Sequence, residues 1–460
     1  MLSAQFQFAK TASVVIAITA LAGCFDFDSL KSKPADGGGT DAGDDAAVMD
    51  LTFLPRYWVE DAAETLTVGT GLVTVPGGKV WVVFTGEGDA EPTVRAYDAI
   101  PGDGQLPALD PDQLVSGLDL EVVSLSGGIR AAVLRAGRFV LAEDATVYAV
   151  GERPLVIAAT GSMLIAGDLN VGSFPFRGPG GALAVGAGSQ KTCAEPPTGD
   201  AGDVGAGGAY AFGGGGGAYS GRAGWGGGDT NSEMEPQAGI PIAALPATLQ
   251  GGCSGGAGGA ADGEPVTEFL GLGGRGGGAV QLISLGSLTI SGRVSSGGAG
   301  GRKNVGRNGG GGGGSGGLVV IESPELTITG AVGAPGGGGG QGGPCGACDD
   351  PADTEDGASG LAGANAGGAP GGAAGTGVGR GGAGSNPMAV ATSGADVSGN
   401  EGAYVGAGGG GGGAGFVILR TTEARTLADF VQAAFDPVVT NVTAKYPFAL
   451  PVFESLDPLP

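Results

Sequence analysis

One strand motif returns three times along the chain, as Gly161-Ser162-Met163-Leu164-Ile165-Ala166-Gly167-Asp168-Leu169, as Gly286-Ser287-Leu288-Thr289-Ile290-Ser291-Gly292-Arg293-Val294, and as Pro324-Glu325-Leu326-Thr327-Ile328-Thr329-Gly330-Ala331-Val332. Each copy keeps apolar residues two apart (Met163/Ile165, Leu288/Ile290, Leu326/Ile328), the period of a strand with one buried face. An apolar strand precedes each copy, at Leu155-Val156-Ile157, Val280-Gln281-Leu282-Ile283 and Leu318-Val319-Val320-Ile321, and Phe416-Val417-Ile418-Leu419 is a fourth of the kind. Short strands with one apolar face cannot bury it alone, so repeated copies read as stacked rungs. Pairs at Phe139/Leu141, Val147/Ala149, Leu155/Ile157 and Met163/Ile165 fall eight residues apart. Three such units make a rung of about 24 residues, the size of one turn of a parallel β-helix. The expectation is an all-β chain: a parallel β-helix (solenoid) over residues 126–420, preceded by a small β module in 51–125.

Long glycine-rich insertions separate the copies, at about 172–277, 297–316 and 333–415, and the chain holds 104 glycines in 460 residues. Glycine loses the most backbone entropy on ordering, so isolated tracts of this kind are disordered. The alternative is ordered packing beside the rungs, because glycine strands can approach closely and pair N–H to C=O in polyproline-II-like bundles. The Gly-X-Y regularity of collagen is absent. In 51–125, Leu72–Val75, a Pro-Gly-Gly turn and Val80–Phe84 suggest the β module. In 421–460, Leu427, Phe430, Val431 and Ala434 share a helical face before Pro437, which suggests a cap over the last rung.

The chemistry available is narrow. Forty-six acidic against twenty-two basic side chains give a net charge of −24, with no basic stripe, which excludes nucleic acid as a partner. With no histidine in the chain, Ser-His-Asp and Cys-His catalysis are impossible. The GxSxG matches around Ser254 and Ser315 lie inside glycine tracts, where any serine satisfies the pattern. No catalytic residue and no cofactor is expected. The competing reading is a polysaccharide lyase or hydrolase working through carboxylates with Arg or Lys, although no rung in the sequence gathers Asp with Lys or Arg.

Five cysteines stand at 24, 193, 253, 345 and 348. If Cys24 is set aside the remainder is even, and in a chain that is exported an even set points to disulfides, Cys193 with Cys253 and Cys345 with Cys348. A four-thiolate zinc site is the alternative. Asp349, Asp350, Asp353, Glu355 and Asp356 crowd carboxylates after Cys348, either as a solvated loop or as hard oxygen ligands for calcium. Tyr210, Phe212, Tyr219 and Trp225 are spaced by glycine in the first insertion. They either fold back as anchors or offer flat faces to a sugar or protein, and with the acidic loop they are the expected contact points.

Near the start, the apolar run Thr11–Ala20 is too short to span a bilayer and ends in Leu21-Ala22-Gly23-Cys24. This resembles the lipobox of bacterial lipoproteins. The resemblance implies a signal peptide over 1–23, acylation of Cys24 and anchorage to a membrane through lipid. Residues 24–50, rich in Asp, Gly and Ala, then read as an acylated N-terminus and a disordered acidic linker. Phe25 in place of Asp resembles the outer-membrane sorting pattern of enteric bacteria. Together, lipobox, acidic linker, strand repeats and glycine insertions resemble the glycine-rich surface lipoproteins of myxobacteria. That likeness implies an outer-membrane or cell-surface protein with a structural or adhesive role, touching a cell-surface glycan or protein.

Overall fold

The alternation in the repeated motifs sorts their strands onto three sheets. The computed structural model describes residues 55–58, 71–99, 113–173, 185–190, 193, 211–228, 237–242, 244–261, 271–304, 308–343, 356–362, 369–372, 379–385, 390–396, 406–421 and 452–455. All belong to one unit, residues 46–460. Among them the protein is all-β, with a 3₁₀ turn at Ser126–Gly128. The strands are β1 (Leu72–Val75), β2 (Val80–Phe84), β3 (Thr93–Tyr97), β4 (Asp119–Ser124), β5 (Arg130–Ala136), β6 (Arg138–Leu141), β7 (Thr146–Val150), β8 (Leu155–Ala159) and β9 (Met163–Ile165). They continue as β10 (Asp168–Asn170), β11 (Ala279–Ser284), β12 (Ser287–Ile290), β13 (Arg293–Ser295), β14 (Leu318–Glu322), β15 (Glu325–Ile328), β16 (Ala331–Gly333), β17 (Phe416–Thr421) and β18 (Val452–Ser455).

Sheet I has the order β1-β6-β9-β12-β15, sheet II β16-β13-β10-β7-β2-β3, and sheet III β18-β17-β14-β11-β8-β5-β4. Successive triplets (β5-β6-β7, β8-β9-β10, β11-β12-β13, β14-β15-β16) each visit sheets III, I and II in turn. Pairings between the named strands are parallel except β2 with β3 and β4 with β5, the antiparallel strands standing at one end of their sheets. Strands β1 to β4, read from the sequence as a module of their own, extend the same three sheets. Their antiparallel partners break the triplet rhythm of the later strands.

Register follows burial. Val73, Phe139, Met163, Leu288 and Leu326 line up across sheet I, as do Val75, Leu141, Ile165, Ile290 and Ile328, and all are buried. Each such side chain contributes about 1.5–3 kcal/mol of burial. Leu164, Thr289 and Thr327 take the other face, half-buried or exposed. A one-residue slip would turn the whole row to solvent, which pins the pairing.

From β5 to β17 sheet III is covered on both faces, which explains why β8, β11 and β14 read as unbroken apolar runs. Leu134, Ile157, Leu282, Ile321 and Leu419 join the core shared with sheets I and II. Val133, Val156, Ile283, Val320 and Ile418 pack outward against Tyr57, Trp58, Tyr219 and Leu249. A polar cluster is buried on this outer face. Glu322 accepts from Gln281 Nε2 at 2.6 Å, from the Arg56 amide at 2.9 Å and from the Arg420 guanidinium. Burial pushes the Glu322 carboxyl above the ordinary carboxylate range, with Arg420 opposing the shift.

Insertions leave after β10, β13 and β16 and return at β11, β14 and β17. The expected helical cap, Thr426–Phe435, lies outside the described residues.

Candidate functional site

The glycine tracts form an ordered block in which the hydrogen-bond pattern repeats every three residues. Along 309–317, the amides of Gly309, Gly312 and Ser315 donate to the carbonyls of Gly259, Gly256 and Cys253. Those of Gly310, Gly313 and Gly316 donate to Ala407, Gly410 and Gly413. Those of Gly311, Gly314 and Gly317 donate to Arg302, Ala299 and Ser296. Three further segments donate back, through Gly214 and Gly217, Gly274 and Gly277, and Gly337 and Gly340. Three residues per turn without internal hydrogen bonds is the polyproline-II helix, and here one such helix has six hydrogen-bonded neighbours. The sequence left disorder and ordered packing open. The described parts of the tracts are ordered through amides that reach neighbouring carbonyls, as all nine along 309–317 do.

Only glycine permits this spacing. A Cβ on Gly310 would stand 2.2 Å from the Gly340 oxygen, on Gly311 2.1 Å from Leu272, and on Gly312 2.0 Å from Gly215. The block also inherits its order from sheet III. Segments 271–278, 308–317 and 406–415 run directly into β11, β14 and β17, which are neighbours in that sheet. Adjacent segments therefore start about 4.7–4.9 Å apart, the spacing of the strands they feed.

Tyr219 is buried, meets Phe416 edge-on with ring centroids 5.1 Å apart, and donates from its hydroxyl to the Gln250 carbonyl at 2.9 Å. Burial raises its phenol pKa strongly. Phe212 is buried as well. These two are anchors, and neither presents a face to a partner. Trp225 is different, at 49% exposed. Tyr210 lies outside the described residues.

Trp225 stands where segment 221–228 meets segment 390–396. Its amide donates to Ser393 Oγ at 3.3 Å, its carbonyl accepts from the Gly394 amide at 2.9 Å, and the Gly228 amide donates to Asp396 Oδ1 at 2.9 Å. The two segments therefore run side by side in register, Trp225 beside Ser393 and Gly228 beside Asp396. Stepping by three brings Arg222 onto the same edge with Val390, both exposed. Nothing in the reading of the sequence pointed to Val390, Ser393 or Asp396. Their three-residue spacing is the signal that a polyproline-II period would have made visible.

Cys193 and Cys253 form a disulfide, with Cα atoms 5.6 Å apart across a sequence separation of 60. It ties the first insertion beneath sheet III, where Cys253 is fully buried. Cys345, Cys348, Asp349, Asp350, Asp353 and Glu355 lie outside the described residues, as does Cys24. Asp356 pairs with Arg302 at 2.5 Å and accepts from the Lys303 amide at 2.8 Å. Among the described residues no group of three or more His, Cys, Asp or Glu is placed to hold a metal ion, and no helix is long and apolar enough to cross a membrane.

Sheet II brings together a set the sequence concealed. Asp168 and Arg293, on neighbouring strands, form an ion pair, and both influence Tyr148. Burial raises the Tyr148 phenol, Asp168 adding to the shift and Arg293 opposing it. No family model, curated protein or solved structure matches this chain.

Proposed function

We propose that this is a lipid-anchored, extracytoplasmic surface protein whose three sheets are the faces of a parallel β-helix, and that its role is structural or adhesive rather than enzymatic. The observation that carries the reading is the glycine block. Its interior is backbone hydrogen-bonded to backbone, which gives stiffness without reactive side chains, and what it offers to the outside is an edge. A scaffold that holds an edge away from a surface suits contact with a matrix or a neighbouring cell. The lipobox-like Leu21–Cys24 and the acidic linker supply the attachment, with a fully extended reach of roughly 85 Å for residues 25–50. The Cys193–Cys253 bond supports export, since such bonds persist in oxidising compartments.

The experiment is a pair of measurements on cells. Replacing Cys24 by Ser should move the protein from the detergent phase to the aqueous phase and abolish cell-surface display. Cells displaying the wild type should attach to extracellular matrix better than cells lacking it. Unchanged partitioning rejects the anchor, and unchanged attachment rejects the adhesive role.

The Asp168–Arg293 pair beside Tyr148 favours a second reading, a polysaccharide-acting enzyme using a carboxylate and a cation on one sheet face. Polysaccharide turnover by the purified chain that disappears in Asp168→Asn would establish it.

A further inference from the structure

Taking the adhesive reading as its basis, we infer that the edge formed by segments 221–228 and 390–396 binds a neutral polysaccharide, with one sugar ring stacked on Trp225. Three observations converge on this ligand. First, Trp225 is a large exposed aromatic, whereas the other two tryptophans, Trp58 and Trp81, are 4% and 7% exposed and belong to the cores. An indole held at a surface offers an apolar face to the C–H side of a pyranose, and its N–H can donate to a hydroxyl.

Second, the flanking groups are of the kind that pair with sugar hydroxyls. Ser393 carries an exposed hydroxyl, and the exposed Asp396, engaged through Oδ1 with Gly228, has Oδ2 as a further acceptor. The register places them next to Trp225 on one edge. Third, the chain's net charge of −24 opposes an acidic polysaccharide or a nucleic acid, whereas a neutral polysaccharide meets no such repulsion.

Rigidity makes a single aromatic useful. The Trp225 backbone is held on both sides, by Gly224 donating to Gly411 at 2.7 Å and Gly394 donating to the Trp225 carbonyl at 2.9 Å. Little further backbone freedom is lost when a ring stacks, so more of the contact energy appears as affinity.

Full-length protein in detergent micelles is titrated with a soluble neutral β-glucan and, separately, with polygalacturonate. Iodide quenching of tryptophan fluorescence reports on Trp225, because the other two tryptophans are buried. The neutral glucan should protect the wild type from quenching and polygalacturonate should not. In affinity electrophoresis, Trp225→Ala should weaken glucan binding by about tenfold or more, and Trp225→Tyr should retain most of it. Thermal melts of both variants should match the wild type, since the side chain is at the edge. Glucan binding unchanged in Trp225→Ala, tighter binding of polygalacturonate, or no binding of the neutral glucan would each overturn the assignment. Cell attachment separates the two claims. Attachment that persists in Trp225→Ala leaves the adhesive role standing and removes the glycan edge, whereas a wild type that binds glucan without promoting attachment keeps the edge and removes the role.

Discussion

The sheets and the glycine block obey opposite rules of packing. Between the sheets, the space around Ile290 is filled by apolar side chains from neighbouring strands, and removing any of them leaves a void. In the block, the space around Gly312 is already filled by backbone, and adding one carbon puts it 2.0 Å from a carbonyl oxygen. One region is held by side chains that must be present, the other by side chains that must be missing. Both reach a close-packed interior, and both satisfy the backbone through neighbours at the same strand-like spacing. Continuity of hydrogen bonding, from Gly317 accepting the Phe416 amide to Gly278 accepting the Leu318 amide, lets one region pass into the other without a break.

The sharpest test of this contrast is Ile290→Asp, which removes about 1.5–3 kcal/mol of burial and adds an unpaired polar group to the core, for a total on the order of 5 kcal/mol. Thr289→Asp, one residue along on the opposite face, should stay within about 0.5 kcal/mol in chemical denaturation. Equal losses would mean that the facing of sheet I is wrong.

Next in size is Arg420→Met, about 3–5 kcal/mol at neutral pH, because it strands the buried Glu322 carboxylate. Burial already raises the folded-state pKa of Glu322 above its unfolded value, and losing Arg420 raises it further. A group raised on folding contributes stability below its unfolded pKa and loses it as pH rises through the folded pKa. The penalty should therefore be largest at pH 7 and shrink below pH ~4, where the carboxyl is protonated in both states. A penalty independent of pH would show that Glu322 does not respond to its partner's charge.

Gly312→Ala comes third, at about 1–3 kcal/mol, as overpacking forces two segments apart. Hydrogen exchange should then speed up at the amides of Gly214 and Gly217, which donate to Gly310 and Gly313 across the two segments forced apart, while sheet I keeps its protection. The smallest effect is Gly71→Ala. With nothing within 4 Å of the added carbon, it should gain about 0.4–1 kcal/mol through the unfolded state. If Gly312→Ala were as harmless as Gly71→Ala, the block would not be packed through its backbone.

Much of the sheet architecture was legible because alternation is a local signal. Met163/Ile165, Leu288/Ile290 and Leu326/Ile328 each declare their buried face within three residues, and β-sheet register simply lines them up. The block was legible only as a choice between disorder and order, since glycine carries no pattern and composition does not say whether a neighbour's carbonyl is within reach. Phe212, Tyr219 and Trp225 looked alike in the sequence, each set among glycines. Two became anchors and one an exposed edge, according to which side of a polyproline-II helix each fell on and what lay beyond it.

By itself, the sequence determined the all-β character, the inward row of sheet I, and the absence of histidine chemistry, because these follow from side-chain identity and its period along the chain. Only the tertiary structure decided that Asp168 meets Arg293, that Trp225 shares an edge with Ser393 and Asp396, and that glycine tracts far apart in the chain become neighbours. Those pairings join segments 125 and 168 residues apart. They depend on which strands stack, and the length of an intervening loop enters folding only weakly and logarithmically, so it leaves no mark in the local sequence.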